Sequence, residues 1–262
     1  MALRQSGRVK KVIGWDINPA ATKAALQLGA IDHAVHSIEA AAVSDLIIFA
    51  TPVDVTLSLL SQIANKISPT VALTDTGSSK NRIVNGAEQI IPGRFVGGHP
   101  MAGSERSGVA ASRSTLFHKA NWLITPLPNA QPDCVIAVQS LAEICGAIPR
   151  FCDPQTHDEL VAALSHLPHL LAWELSSVAE LKVKPEWRDA AAGSFKDGAR
   201  VARSNPAHWA KILMDNRRAL LASLDAADQW RTDARLALEQ NDLNSLTALL
   251  ESAGASISKF PG

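Results

Sequence analysis

The stretch MALRQSGRVKKVIGWDINPAATKAALQL, residues 1–28, decides how the chain is to be read. Lys11 to Trp15 has the short apolar character of a strand, and it ends on an acid, Asp16. Asn18-Pro19 then opens a helix over Pro19 to Leu28, with asparagine as cap and proline where no backbone N–H is needed. Met1 to Ser6 reads as the last turns of a preceding helix, and Gly7 as its stop. Helix, acid-tipped strand and helix make the second part of a nucleotide-binding unit. In such units a glycine-rich phosphate loop stands ~20 residues before the acid. Counting back from Asp16 runs past Met1, so the sequence is expected to start after that loop and its strand.

Working outward, the same alternation continues to about residue 152. Strands are expected at Lys11 to Trp15, Asp45 to Ala50, Thr70 to Thr74, Arg94 to Gly98, Asn121 to Thr125 and Ile148 to Cys152. Helices are expected at Pro19 to Leu28, Val53 to Lys66, Lys80 to Ile90 and Asp133 to Cys145. Alternation of this kind predicts parallel strands covered by helices. The runs DLIIFA and TVALT are apolar on both faces, as in strands buried between two helix layers. Strand signals stop after residue 152. Asp153-Pro154 and Asn205-Pro206 each look like a cap followed by proline, ahead of helices over Leu160 to Leu181 and Trp209 to Trp230, with a last helix over Leu243 to Ser252. Pro168 should kink the first of these. The fold class expected is therefore α/β: a Rossmann-like parallel sheet, incomplete at its N-terminus, over residues 1–152. An all-helical domain follows over residues 153–262, with a cleft at the junction.

Composition narrows the partners. Lysine plus arginine and aspartate plus glutamate both number 25, so no net charge draws the chain to nucleic acid or to a membrane surface. A small molecule is the expected ligand. No run of ~18 apolar residues occurs. Cys134, Cys145 and Cys152 are odd in number and form no C-x-x-C pair, which fits reduced thiols in a cytoplasmic protein.

Several positions can carry chemistry. Asp16, at a strand end, can accept both hydroxyls of an adenosine ribose or can serve as a helix cap. A 2′-phosphate there would meet like charge, which favours NAD over NADP. ATPVD (50–54) and DTGSSK (75–80) each end a buried strand and open a helix, so they are either cofactor-edge turns or plain turns. GGHPMAGSERSG (97–108) sets His99 and Glu105 on a glycine-permissive loop after a strand. An imidazole so placed either exchanges protons near neutral pH or is a surface residue. SHLPH offers His166 and His169 at i and i+3, for packing, for substrate or, less readily, for a metal, since no further ligands stand at a convincing spacing. AAGSFKDGARVARSNP (191–206) holds Lys196, Asp197, Arg200 and Arg203, suited to carboxylates or simply solvated.

Taken in order, the Asp16 strand, ATPVD, DTGSSK, GGHPMAGSERSG, SHLPH and GSFKDGAR with NPAHW resemble the prephenate and arogenate dehydrogenases of tyrosine biosynthesis, over nearly the whole chain. The resemblance implies oxidation of a cyclohexadiene alcohol by NAD+ with loss of the ring carboxylate as CO2. It implies that His99 takes the ring hydroxyl and that Ser78 positions it beside the nicotinamide. Arg200 would hold the ring carboxylate, and His166 would line the pocket toward the substrate side chain, with Glu105 nearby as a gating or pairing group. Asp16, Thr51, Pro52 and Ser78 would hold the cofactor, no metal would be needed, and the helical part would pair into a homodimer. Asp197 is the candidate for an acid that favours the ammonium of arogenate over the ketone of prephenate. Two alternatives stand beside this reading. One is another Rossmann oxidoreductase with a helical second domain, acting on a 3-hydroxyacid or an imine. The other is a dimeric remnant of the same family unable to bind NAD. A short-chain dehydrogenase is excluded, since its Tyr-x-x-x-Lys pair needs a tyrosine and the chain has none.

Overall fold

The computed structural model describes residues 1–103 and 108–260. Glu105 lies outside the described residues. By contacts the chain divides into two units, Met1–Asn216 and Arg217–Gly262.

The larger unit begins with α1 (Ala2–Gln5), which Gly7 terminates with φ +66°, as expected of a helix stop. Strand β1 (Ile13–Gly14) leads to α2 (Pro19–Gln27), capped by the Asn18 side chain on Ala20 N–H. A two-residue strand beyond those expected, β2 (His33–Ala34), lies parallel to β1. Strands β3 (Leu46–Phe49) and β4 (Ala72–Asp75) pair in parallel, with Leu46 opposite Ala72 and Phe49 opposite Asp75. Between them runs α3 (Val53–Ile63), and after β4 comes α4 (Asn81–Ile90).

Alternation along these strands builds two cores. Ile47, Phe49 and Leu73 face one side, where the stripe Val53, Leu59, Leu60 and Ile63 of α3 meets Ile83, Val84 and Ala87 of α4. Leu46, Ile48 and Ala72 face the other, packed with Val138, Leu141 and Ala142 of α5 (Pro132–Ile144) and with Leu3 of α1. Fully burying a side chain such as Leu60, Ile63 or Leu73 contributes about 1.5–3 kcal/mol.

A parallel bridge between Leu73 and Phe95 carries the sheet from β4 towards β5 (Gly97–Pro100). Beyond β5 the strands differ from the all-parallel expectation. Strand β6 (Asn121–Thr125) runs antiparallel to β5, and β7 (Ile148–Phe151) runs parallel to β6. A parallel return needs a crossover of helical length. Among the described residues between β5 and β6 there is only a 3₁₀ turn, Val109–Ala111. Glycine lets the β5 backbone come close to its neighbours: a Cβ on Gly98 would stand 2.8 Å from the Asp75 carbonyl oxygen and 2.9 Å from Thr74 Oγ1.

The helical region starts as read. Asp153 accepts N–H from Gln155 and Thr156 and caps α6 (Pro154–Val161). The interruption expected at Pro168 takes the form of a π-helical turn, Ala162–His166, followed by α7 (Leu167–Lys182). Pro168 brings no N–H, and a widened turn accommodates the lost hydrogen bond. Next come α8 (Gly193–Gly198), a 3₁₀ turn (Arg200–Arg203) and α9 (Pro206–Asp215), which Asn205 caps on His208 N–H. The helix expected over Trp209 to Trp230 is in fact two, divided at Asn216, whose side chain is turned to interior hydrogen bonds. The smaller unit consists of α10 (Arg217–Glu239) and α11 (Leu243–Ile257), the latter capped by Asp242 on Ser245 N–H. No described helix is long and apolar enough to cross a membrane.

Candidate active site

Strand β5 follows β4 in the same direction, so His99 stands at the edge reached by the carboxyl ends of β3 and β4. Ligands in open α/β sheets bind outside that edge. Only 8% of His99 is exposed. Its Nδ1 lies 2.9 Å from Nε2 of His157, and Nδ1 of His157 lies 2.8 Å from Oδ1 of Asp158, both on α6. Asp158 in turn receives the backbone N–H groups of Lys80 at 2.7 Å and Asn81 at 3.0 Å, where α4 begins. No side chain of its own caps α4, so the carboxylate from α6 supplies the missing acceptor. A line of hydrogen bonds thus runs from the helix start, through Asp158 and His157, to His99.

Beneath it lies a buried ion pair. Lys80 Nζ donates to Asp75 and, at 2.9 Å, to the Ser79 carbonyl. Asp75 also accepts N–H from Gly77 at 2.9 Å and from Gly98 at 3.2 Å, tying the end of β4 to β5 beside His99.

His166, at the end of the π turn, is fully buried. Asn216 Nδ2 donates to the Asp158 carbonyl at 2.7 Å and lies 3.1 Å from His166 Nδ1. Since an amide NH2 only donates, Nδ1 of His166 is an acceptor and its ring proton is on Nε2. That nitrogen has no hydrogen-bond partner meeting normal geometry among the described residues, although the Ser78 backbone lies beside the ring. One turn on, His169 donates from Nδ1 to the Ser165 carbonyl and stacks on Trp209 at 3.6 Å. Both rings are thus engaged in protein contacts, and no described group of three His, Cys, Asp or Glu side chains gathers as a metal set.

Burial keeps these imidazoles neutral. His99 is held well below its ordinary value of 6.5, first by burial and then by His157, Lys80 and His166. Burial lowers His157 against the opposing pull of Asp158, and lowers His166 to about 4.

The other sequence candidates are spread more widely. Ser78 is half-buried and meets the site through its backbone. Thr51 and Pro52 occupy the turn opening α3, where Thr51 Oγ1 shares a 2.7 Å hydrogen bond with Thr56 Oγ1. Asp16 is exposed, and one of its oxygens accepts N–H from Asn18 at 2.8 Å. The helix-cap role left open for Asp16 is filled by Asn18. Asp197, on α8, and Arg200, at the start of the 3₁₀ turn that follows, are exposed. Arg200 lies near enough to His169 to lower its pKa, which burial lowers first. No described contact carries Asp197 to His99.

His157, Asp158 and Asn216 were not among the sequence candidates. A signal for the first two exists: Pro154, His157, Asp158, Val161 and Ala162 are all buried, so a histidine and an acid lie on what is otherwise the apolar stripe of a helix.

Comparison with known proteins extends over both parts of the chain. Residues 1–149 match the family model described as prephenate dehydrogenase, nucleotide-binding domain, and residues 153–252 match prephenate dehydrogenase, dimerization domain. A prephenate dehydrogenase of Bacillus subtilis (strain 168) is 35% identical, over 97% of this chain and 70% of its own length. Among solved structures, prephenate dehydrogenase from Aquifex aeolicus in complex with hydroxyphenyl propionate and NAD+ superposes with a TM-score of 0.91 at 28% identity. That match covers 98% of this chain and 92% of the other. Synechocystis arogenate dehydrogenase gives a TM-score of 0.84 at 27% identity, over 99% and 94%.

Proposed function

The chain belongs to the prephenate dehydrogenase family, and from that premise we propose that it catalyses the NAD-dependent oxidative decarboxylation of prephenate, arogenate or both. The observation that carries the reading is His99: a buried, neutral imidazole at the carboxyl edge of the sheet, hydrogen-bonded on one nitrogen only among its described contacts. The reaction needs a group that takes the proton of a ring hydroxyl as the alcohol becomes a carbonyl. A neutral imidazole does this at physiological pH.

Nicotinamide cofactor supplies the hydride acceptor when bound. The chain's own residues fit it at two places. Asp16 is exposed and is not spent on capping α2, which leaves its carboxylate available to ribose hydroxyls. The first turn of α3, after Thr51 and Pro52, has no side-chain cap on its N–H groups, which suits a phosphate. Ser78 would sit between cofactor and His99, Arg200 would pair with a substrate carboxylate, and His166 would offer its Nε2–H to the bound ligand. Glu105 keeps the role of a gating or pairing group that the resemblance implies, and Asp197 that of the candidate acid for the substrate side chain. The domains of this reading are a nucleotide-binding part over residues 1–152 and a helical part over 153–262 through which two copies pair. The three thiols, free and with their pKa values raised by burial, accord with a reducing, cytoplasmic location.

The test is direct. The purified chain is titrated with NAD+ and NADP+ by calorimetry, then assayed for NADH formation with prephenate and with arogenate. Binding of NAD+ in preference to NADP+, with turnover of at least one substrate, is expected. Absence of NAD+ binding would overturn the reading in favour of a remnant, and turnover of a 3-hydroxyacid instead would favour the other class of oxidoreductase.

A further inference from the structure

We propose that His157 and Asp158 are positioning residues that fix the tautomer of His99, so that Nε2 of His99 carries the lone pair that receives the substrate's hydroxyl proton. The proposal rests on the functional reading above for the identity of the proton donor, but its structural half stands alone.

Each step follows from which atoms can donate. Both oxygens of Asp158 already accept backbone N–H, from Lys80 and from Asn81, so towards His157 the carboxylate is again an acceptor. His157 must therefore carry its proton on Nδ1, 2.8 Å from Oδ1. Because burial keeps His157 neutral, its Nε2 has no proton and can only accept. The 2.9 Å contact with His99 then requires the proton to be on Nδ1 of His99. His99 is neutral for the same reason, which leaves its Nε2 bare. Had the proton been on Nε2, two lone pairs would face each other across 2.9 Å in a buried site.

In the reaction, the substrate O–H bond breaks with its electron pair staying on oxygen, and a new N–H bond forms at Nε2. The resulting imidazolium keeps its Nδ1–H directed at His157, with the negative charge of Asp158 behind it. Lys80, whose charge is paired with Asp75, and the neutral His166 also face His99. Asp158 is the acid at the end of this hydrogen-bonded line, so removing the connection through His157 cuts its carboxylate off from the imidazolium. The other wall of the site lacks this device. His166 is held by Asn216 with its proton on Nε2, a donor rather than an acceptor. The two buried rings are thus set to opposite tasks by their partners.

The experiment uses the full chain labelled with ¹⁵N-histidine. The protein has eight histidines, and His99 is assigned by the resonances lost in His99→Asn. In the unliganded wild type, long-range ¹H–¹⁵N spectra are expected to show His99 protonated on Nδ1 and bare on Nε2. Protonation on Nε2 overturns the proposal whatever the activity. His157→Leu should populate the other tautomer and lower kcat on the order of 100-fold, with KM and NAD+ affinity little changed. His157→Gln, whose amide oxygen can still accept from His99 Nδ1, should restore the tautomer and most of kcat. A His157→Leu enzyme with the wild-type tautomer and turnover would also overturn it. Should that variant not fold, the wild-type spectrum and His157→Gln decide. A wild type with the assigned tautomer but no turnover of either substrate refutes the functional reading while leaving the relay in place.

Discussion

The ammonium of Lys80 lies against the carboxylate of Asp75 with both side chains buried, and the backbone N–H of the same lysine holds Asp158. One residue thereby links the end of β4, the start of α4 and the line that ends on His99. A buried ion pair stabilises little in net terms, but leaving one partner alone is costly. Lys80→Met should therefore destabilise the protein by about 3–5 kcal/mol. Lys80→Met combined with Asp75→Leu should recover part of that loss, although Asp75 also receives Gly77 and Gly98 N–H. Urea unfolding of the single and double variants measures this. A single variant as stable as wild type would mean that Asp75 finds compensation elsewhere.

His99→Asn should abolish most of the turnover while preserving NAD+ affinity. Asparagine keeps a hydrogen-bonding group in the space but offers no basic nitrogen, and general-base assistance contributes about 10²–10⁴-fold. The comparison is kcat by NADH formation against the NAD+ dissociation constant by calorimetry. Near-normal turnover would remove His99 from the chemistry.

How much of this was legible beforehand follows from the range of each signal. Strands such as β3 and β4 announce themselves by continuous apolar runs, and caps such as Asn18, Asp153 and Asn205 by the proline that follows. Both are local. The direction of β6 was not legible, because it depends on the lack of a crossover helix among the described residues between β5 and β6 rather than on anything inside the strand itself. His99 stood out through the glycines and proline around it. His157 did not, because its meaning lies in a partner 58 residues away in sequence. The division at Asn216 has the same origin: the break in the helix is tied to a side chain that reaches back to Asp158 and His166.

Asp197→Asn tests the residue with the least structural support. It is exposed on α8, and its assignment rests on its place in the GSFKDGAR segment. If its carboxylate faces the substrate side chain, it favours the ammonium of arogenate over the ketone of prephenate. The variant should then lose more kcat/KM for arogenate than for prephenate, by about 10-fold, as for one charge-assisted hydrogen bond. Equal losses for both substrates would refute the assignment.

Acid should weaken the fold through its buried histidines before the carboxylates matter. His166 ionises near 6.5 in an unfolded chain, whereas burial holds it to about 4 in the folded one. Between those values the unfolded chain binds the proton and the folded chain does not, so stability rises with pH across the window and is lost as pH falls through it. Above about 6.5 the effect is absent, and by pH ~4 it amounts to about 3 kcal/mol for this residue. His99 and His157, also lowered by burial, add with the same sign. Asp153 and Asp242, held low by the N–H and hydroxyl groups they cap, lose their contributions only below the usual carboxylate range. Urea unfolding followed between neutral pH and about pH 4.5 should therefore show a decline beginning near 6.5. His166→Gln, which has no group titrating there, should decline less steeply. Parallel curves for His166→Gln and wild type would show that His166 does not titrate as its burial requires.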